Sequence, residues 1–297
     1  MTAAHNEQAI IGNTIESVLS QSVQPVRWVI VSDSSTDDTD QIIQRYAKSY
    51  PCISYLRIDR EPGRSFASKV IALRLAESVL KKERFTLVGN IDADVTLEPC
   101  FFESLIDRLD VDHALGIAGG FVYEAIDGKY ISRPLNSEQS VPHAAQLVRR
   151  ECYESIGGYC VLKYGGEDWH ASVSANMKGW RVRAFPDLKI FHHRTSLHSG
   201  RAVRNAFRAG RMDYSFGSYG PFEVLKCLRR MPEAYFTGGF VRMIGFLSGY
   251  VFAEERPVSK EFMRFLRNEQ RHRVVSFMKR PFRRLVRIAD SGTQVQG

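Results

Sequence analysis

Phe85-Thr86-Leu87-Val88-Gly89-Asn90-Ile91-Asp92-Ala93-Asp94 is the stretch on which the reading of this chain turns. An apolar run of strand length ends in two carboxylates two residues apart, and in an extended segment residues i and i+2 project from one face. Both carboxylates then converge at the carboxyl end of a strand, where open α/β sheets put their ligands. A hard divalent cation carrying phosphates needs such oxygen ligands, so the stretch reads as a metal–diphosphate site. Two other pairs look similar, Asp38-Thr39-Asp40 and Asp110-Val111-Asp112. The first sits where a helix would start and the second follows a helix-like segment, Pro99 to Leu109, so caps and solvated loop explain them.

Strand-like and helix-like segments alternate around this strand through the first two-thirds of the chain. Ile10, Ile11, Ile15, Val18 and Leu19 give a helical stripe, Trp28 to Val31 a buried strand, and Asp38 to Ser49 a polar-faced helix. Ile53 to Ile58 is strand-like, Val70 to Leu80 helical, Pro99 to Leu109 helical with proline in its first turn, and Ile117 to Val122 a strand. Asp127-Gly128 marks a hairpin or loop tip. A helix over Glu167 to Met177 and short strands around Trp180 to Phe185 and Leu188 to Phe191 follow. The alternation predicts a mostly parallel sheet with right-handed crossovers. From Arg201 the strands stop and Pro221, Pro232, Pro257 and Pro281 punctuate helical sequence, which places a boundary near residue 200.

Charge follows the same division. Residues 1–200 hold 22 Lys and Arg against 25 Asp and Glu, whereas 201–297 hold 19 against 8. The basic region either faces a polyanion, such as a phosphate-bearing lipid surface or nucleic acid, or is a solvated arginine-rich helix pair. Phe236 to Phe252 is short for a span and carries Arg242 near its middle, so it reads as a packed or an interfacial helix. The five cysteines are scattered without a C-x-x-C, which indicates neither a disulfide framework nor a zinc site and fits a reducing compartment. No signal peptide is expected ahead of the first polar motif.

Three further constellations carry chemistry. Ser32-Asp33-Ser34-Ser35-Thr36-Asp37 leads from a strand into a helix. Thr36 or Asp37 can cap that helix, while Asp33 sits at the strand tip, where its carboxylate could accept a hydrogen bond from a base ring N–H. Gly165-Gly166-Glu167-Asp168-Trp169 is a flexible loop with two carboxylates at a helix start, which the helix dipole also favours. Adjacent residues do not share a helix face, so one carboxylate orients while the other, Asp168, works as a base. In Phe191-His192-His193-Arg194 one imidazole falls on each side of a strand end, and one of the two could complete a metal shell beside Asp94.

Taken in order, these motifs resemble the family-2 glycosyltransferases over roughly residues 3–195. Ala3-Ala4-His5-Asn6-Glu7 looks like the opening nucleotide-binding motif, Ser32 to Asp37 the base-binding loop, Asp92-Ala93-Asp94 the D-x-D, and Gly166-Glu167-Asp168-Trp169 the acidic E-D motif. The resemblance implies a GT-A-type, Rossmann-like, mostly parallel sheet flanked by helices over 1–200, with a helical basic appendage over 201–297. It implies nucleotide contacts from Ala3, Glu7, Asp33, Arg64, Lys69 and Asp92, and Mg²⁺ or Mn²⁺ held by Asp94 and Asp92, to which the strand-end geometry adds His192 or His193 as the candidate imidazole. Asp168 with Glu167 would invert the anomeric centre in transfer from a nucleotide-diphosphate sugar to a hydroxyl of a glycan or lipid-linked acceptor, as in cell-surface polysaccharide or glycolipid synthesis. Two departures stand out: the chain begins at Met1-Thr2-Ala3, so the first strand is expected to be almost absent, and Ser32 and Ser34 replace an Asp and a Gly common in the base loop.

A sugar-phosphate nucleotidyltransferase would want a glycine- and lysine-rich phosphate loop near its start, and none is present. A non-catalytic protein binding membrane or nucleic acid through 201–297 would not need the carboxylates of both acidic motifs. The expected partners are therefore a nucleotide sugar, the acceptor and an anionic membrane contacted peripherally, with nucleic acid disfavoured. The expected location is the cytoplasm or the inner face of the cell membrane.

Overall fold

The computed structural model describes residues 1–60, 66–194, 202–230 and 237–291, and side chains over these ranges except at 66 and 278–291. Contacts divide the chain into two compact units, Met1–Leu197 and His198–Gly297.

In the first unit β1 (Thr2–Ala4), β2 (Trp28–Asp33) and β3 (Ile53–Ile58) pair in parallel. β2 is buried throughout, with Trp28 and Ile30 in one apolar cluster and Val29 and Val31 in another. A strand covered on both faces divides its side chains in this way. Helices α1 (Ile11–Leu19), α2 (Thr39–Ser49) and α4 (Phe101–Val111) supply Ile11, Ile15, Ile43, Phe101 and Leu105 to the first cluster. Helices α3 (Phe66–Leu80), α5 (Arg150–Ser155) and α6 (Glu167–Met177) supply Val70, Leu73, Cys152 and Ala171 to the second. β1 has only three residues, yet it is stitched to β4 (Leu87–Ile91). The Met1 nitrogen donates to the Gly89 carbonyl at 2.8 Å, Ile91 N–H to the Met1 carbonyl at 3.1 Å, and the Thr2 hydroxyl to the Ile91 carbonyl at 2.9 Å. These bonds set the carboxyl ends of β1, β2 and β4 side by side.

The second sheet runs β4, β8 (Ala145–Arg149), β6 (Leu115–Ile126), β9 (Arg181–His192), β5 (Val95–Leu97), with β7 (Lys129–Ser132) on β6. Here only the β6–β9 pair is parallel. Antiparallel neighbours need only a short connection. β6 reaches β7 through Asp127-Gly128, both at positive φ, as a two-residue primed turn requires. β9 is one strand where the sequence suggests two. Its pairing with β6 jumps from Gly120↔Phe185 to Phe121↔Lys189, and the bulge absorbs Pro186, which has no N–H for the ladder.

The second unit holds α7 (Ala202–Ser215), α8 (Gly220–Arg229), α9 (Gly238–Val251) and α10 (Lys260–Ser291). α7 and α9 cross so closely that a Cβ at Gly210 would strike the Arg242 carbonyl oxygen and one at Gly245 the Phe207 carbonyl oxygen. Between the helices lies a buried charge cluster. Asp213 takes Lys226 at 2.8 Å and Arg242 at 2.6 Å, and Lys226 also meets Glu223 at 2.7 Å. Burial first, then Asp213, raises the Glu223 carboxyl to about 7. Pro221 sits in the first turn of α8, whereas α10 runs on past Pro281, so that proline does not end a helix as the sequence suggested. Pro232 lies outside the described residues.

Candidate functional site

The site begins at the end of β4, where Asp92 and Asp94 stand two residues apart. Asp92 is held by its backbone N–H, which donates to the Ala144 carbonyl at 2.8 Å, and by Lys69 of α3, whose Nζ lies 2.6 Å from Asp92 Oδ1. Burial works against the Lys69 ammonium, but Asp92, Glu167 and Asp168 outweigh it and its pKa rises. Asp94 faces His192 at the end of β9, with Oδ2 and Nε2 3.4 Å apart. Burial first, and then the neighbouring Asp92, push the Asp94 carboxyl up, and His192, Arg194 and Lys69 only partly oppose this. An excess of negative charge at a strand end, with an imidazole nitrogen converging on it, is a donor set that fits a divalent cation. Among the described residues, no group of three or more His, Cys, Asp or Glu side chains is arranged to hold a metal alone. Two protein ligands are what a metal shared with phosphate oxygens needs.

The two histidines separate. His193 is occupied elsewhere: Nε2 is 2.9 Å from the Thr96 hydroxyl and Nδ1 3.0 Å from the Tyr130 hydroxyl. With both ring nitrogens so engaged, His192 is the imidazole beside Asp94 and the expected ligand role of His193 is not what the geometry offers. β9 ends at His192, and His193 follows it with its backbone N–H donating to the Asp94 carbonyl at 3.0 Å, so the two rings leave the strand end in different directions.

Helix α6 brings the second acidic pair. Gly165 and Gly166 both take positive φ, a conformation that glycine adopts without a Cβ penalty, and Glu167 and Asp168 open the helix. Asp168 Oδ1 accepts the Trp169 N–H at 2.7 Å. Glu167 is mostly buried, and burial raises its carboxyl despite the pull of Lys69. Lys69 is thus the charge that Asp92, Glu167 and Asp168 share, which ties the β4 end to the α6 start.

The loop after β2 leaves the carboxyl end of that strand at Asp33. Asp33 Oδ1 lies 3.2 Å from Arg60 Nε, and the His5 ring meets the Asp33 carbonyl at 2.6 Å. Ser34, where the resemblance led one to expect glycine, has φ +55°. Its hydroxyl secures that left-handed turn by accepting the Arg60 N–H at 2.9 Å and donating to the Ile58 carbonyl at 3.2 Å. Asn6, at φ +54°, accepts the Thr36 N–H on its side chain at 2.8 Å, and the Thr39 hydroxyl accepts the Glu7 N–H at 2.7 Å. Glu7 Oε2 in turn lies 2.7 Å from Arg194. Ala3 pairs with Val31 in the parallel ladder between β1 and β2. Arg64 lies outside the described residues.

The geometry therefore brings Asp92, Asp94, His192, Lys69, Glu167 and Asp168 into one electrostatic neighbourhood and sets Asp33 at the tip of β2, with β1 between it and β4. Arg60, Arg194 and His143 belong to the site without having been singled out in the sequence. Arg60 was within reach of sequence reasoning, because Asp33 pairs with Ile58 and a parallel strand carries residue 60 just beyond it. Pro142 marks the turn in which His143 sits ahead of β8, but nothing in the local sequence marks the imidazole itself as part of a site.

An α/β unit with acidic side chains gathered at its strand ends has them where open α/β sheets bind their ligands. The sequence profile of Glycosyl transferase family 2 matches residues 1–164, and the chain belongs to that family. A chondroitin synthase of Escherichia coli is 30% identical over 112 residues, which is 38% of this chain and 15% of that protein's length. Among solved structures, the mannosyltransferase PcManGT from Pyrobaculum calidifontis, in complex with GDP-Man and Mn²⁺, aligns over 94% of this chain and 85% of its own at a TM-score of 0.55 and 15% identity. S. aureus TarS (1–349) aligns over 85% and 71% at 0.53 and 15% identity. These likenesses establish the shared fold.

Proposed function

We propose that the protein is a metal-dependent, inverting transferase that moves a sugar from a nucleoside-diphosphate donor to a hydroxyl of a glycan or lipid-linked acceptor. The observation that carries this reading is the convergence of Asp92, Asp94 and His192 with Glu167 and Asp168 around Lys69. Solved relatives of the same fold hold GDP-Man with Mn²⁺ and UDP-GlcNAc, which supports a nucleotide-sugar donor here. Residues 1–200 would form the donor-binding and catalytic part, and 201–297 a helical basic appendage.

In the proposed reaction the donor base lies against Asp33 and Arg60, and Lys69 faces the diphosphate. Asp168 removes the proton from the acceptor hydroxyl as its oxygen attacks the anomeric carbon from the face opposite the diphosphate. The bond from that carbon to the diphosphate oxygen breaks, the nucleoside diphosphate leaves, and the anomeric configuration inverts. Asp94 and His192 would hold Mg²⁺ or Mn²⁺, with Asp92 braced by Lys69, and the ion would supply charge neutralisation on the leaving diphosphate. The test is thermal: a uridine or guanosine diphosphate should raise the melting temperature with Mg²⁺ or Mn²⁺, by an amount that grows with ligand concentration. Equal stabilisation in chelator would remove the metal from the mechanism.

A membrane-proximal acceptor is the second part of the proposal. Among the described residues no helix is long and apolar enough to cross a membrane. Phe240, Ile244, Leu247 and Val251 of α9 nonetheless recur at helical spacing and are all exposed, in the unit that carries the basic excess of residues 201–297. A face of this kind beside many cations suits the inner leaflet of a cell membrane, where each near-surface cation contributes roughly 1 kcal/mol. Co-sedimentation with anionic but not neutral vesicles, weakening with salt, is expected; complete recovery in the supernatant at low salt would reject the membrane contact.

A further inference from the structure

His143 is 4% exposed, and among the described residues neither of its ring nitrogens has a hydrogen-bond partner. A neutral imidazole always carries one N–H, and leaving such a donor buried and unpaired is unfavourable. The cost is not forced by a loose segment. The His143 carbonyl accepts from Asn90 Nδ2 at 2.5 Å and the next carbonyl, of Ala144, accepts the Asp92 N–H at 2.8 Å, so the residue is pinned to the end of β4. The ring stands edge-on to Tyr159, centroids 4.3 Å apart, and the Tyr159 hydroxyl accepts from Gln146 Nε2 at 2.6 Å. Its Nδ1 points toward Glu167, 3.9 Å from Oε1, too far for a hydrogen bond and about one ångström from making one. Burial first, and then the Lys69 ammonium, hold the His143 pKa well below its usual range, so what the ring offers Glu167 is an N–H and not a second cation.

Glu167 is the first residue of α6 and Asp168 the second, about 100° further round the helix. Fixing the Glu167 carboxylate fixes the rotation of that first turn, and with it the direction in which Asp168 faces. We propose that His143 is a positioning residue of the transfer reaction: its ring N–H closes on Glu167 Oε1 when the donor fills the cleft, and this bond aims Asp168 at the acceptor hydroxyl. Hydrogen bonds of catalytic groups are often long in the free enzyme and tighten in the complex, which matches the 3.9 Å gap. The inference rests on the transferase reading and on Asp168 as its base.

The full chain tests it with two substitutions, His143→Phe, which keeps the ring packed on Tyr159 and removes the N–H, and His143→Gln, which restores an amide N–H. Mg²⁺-dependent hydrolysis of UDP-GlcNAc and GDP-mannose, with water as acceptor, is the activity read alongside nucleoside-diphosphate affinity. The Phe variant should lose about ten-fold in kcat, the usual worth of one charge-assisted hydrogen bond, with nucleotide affinity within two-fold; the Gln variant should recover most of the loss. Full activity in the Phe variant, or equal loss in both variants with unchanged melting, would overturn the proposal. A second readout needs no turnover. In ¹⁵N-histidine spectra with Mg²⁺ and nucleoside diphosphate, the His143 N–H should be protected from exchange and should shift in Glu167→Gln; an N–H indifferent to that substitution rejects the pairing. If wild-type protein binds nucleoside diphosphate but hydrolyses no nucleotide sugar, the transferase reading falls, while the spectra of the nucleotide-bound protein still decide whether His143 and Glu167 are partners.

Discussion

The two units gather carboxylates and cations in opposite ways. In the helical unit Asp213 and Glu223 meet Lys226 and Arg242, two acids against two bases, packed between helices whose glycines allow contact at backbone distance. In the α/β unit Asp92, Asp94, Glu167 and Asp168 crowd around Lys69, while Arg194 is drawn aside by Glu7. The first cluster is closed and balanced, so it holds helices together. The second is part-exposed and over-charged, a state that costs free energy until a cation or a polyphosphate's metal enters. Residual imbalance at strand ends is what marks a site, and internal balance is what marks a staple.

The largest expected effect falls on the unbalanced cluster. Asp168→Asn should lower transfer or donor hydrolysis by about 10²–10⁴-fold, with nucleotide affinity within a few-fold, because a positioned base acts in the transition state. Collapse of nucleotide binding together with activity would make Asp168 a donor ligand and leave the base elsewhere. Next in size is a loss of stability in the balanced cluster. Arg242→Met strands Asp213 with one cation, and breaking a buried pair costs roughly 3–5 kcal/mol. Denaturant unfolding should show that loss in the transition that reports α7 and α9; a change within error would mean the cluster is wetter and weaker than its geometry suggests.

How far this contrast could be read without coordinates depends on the kind of contact involved. The acidic motifs were legible because each sits at an element boundary: an apolar run ending in Asp92, a double glycine ending in Glu167. Helix α6 begins and ends where its sequence pattern says, and β3 likewise. The short strands β5 and β8 were not legible, since three and five residues carry too little periodicity to register. The partition of His192 and His193 needed the register of β9 against β5, and the bulge at Pro186 hides that register from simple counting. The Asp213 cluster was illegible for another reason, as its members come from three helices and nothing in local sequence pairs them.

The smallest expected effect sharpens the comparison most. Lys69 and Arg242 each bind an aspartate at 2.6 Å, so distance alone predicts equal consequences of removing them. Their surroundings differ. Lys69 and Asp92 keep water access, with side chains 28% and 24% exposed against 12% and 7% for Arg242 and Asp213, and part-exposed pairs are worth about 1 kcal/mol or less. Lys69→Met should therefore shift the unfolding midpoint only slightly while weakening nucleoside-diphosphate binding, since the lost charge is the one that faces the diphosphate. Calorimetry and nucleotide titration on the same preparation separate the two effects. A large loss of stability with unchanged nucleotide affinity would make Lys69 a staple like Arg242, and the site would then have to find its phosphate-facing cation elsewhere, with Arg194 and Arg60 as the candidates its walls supply.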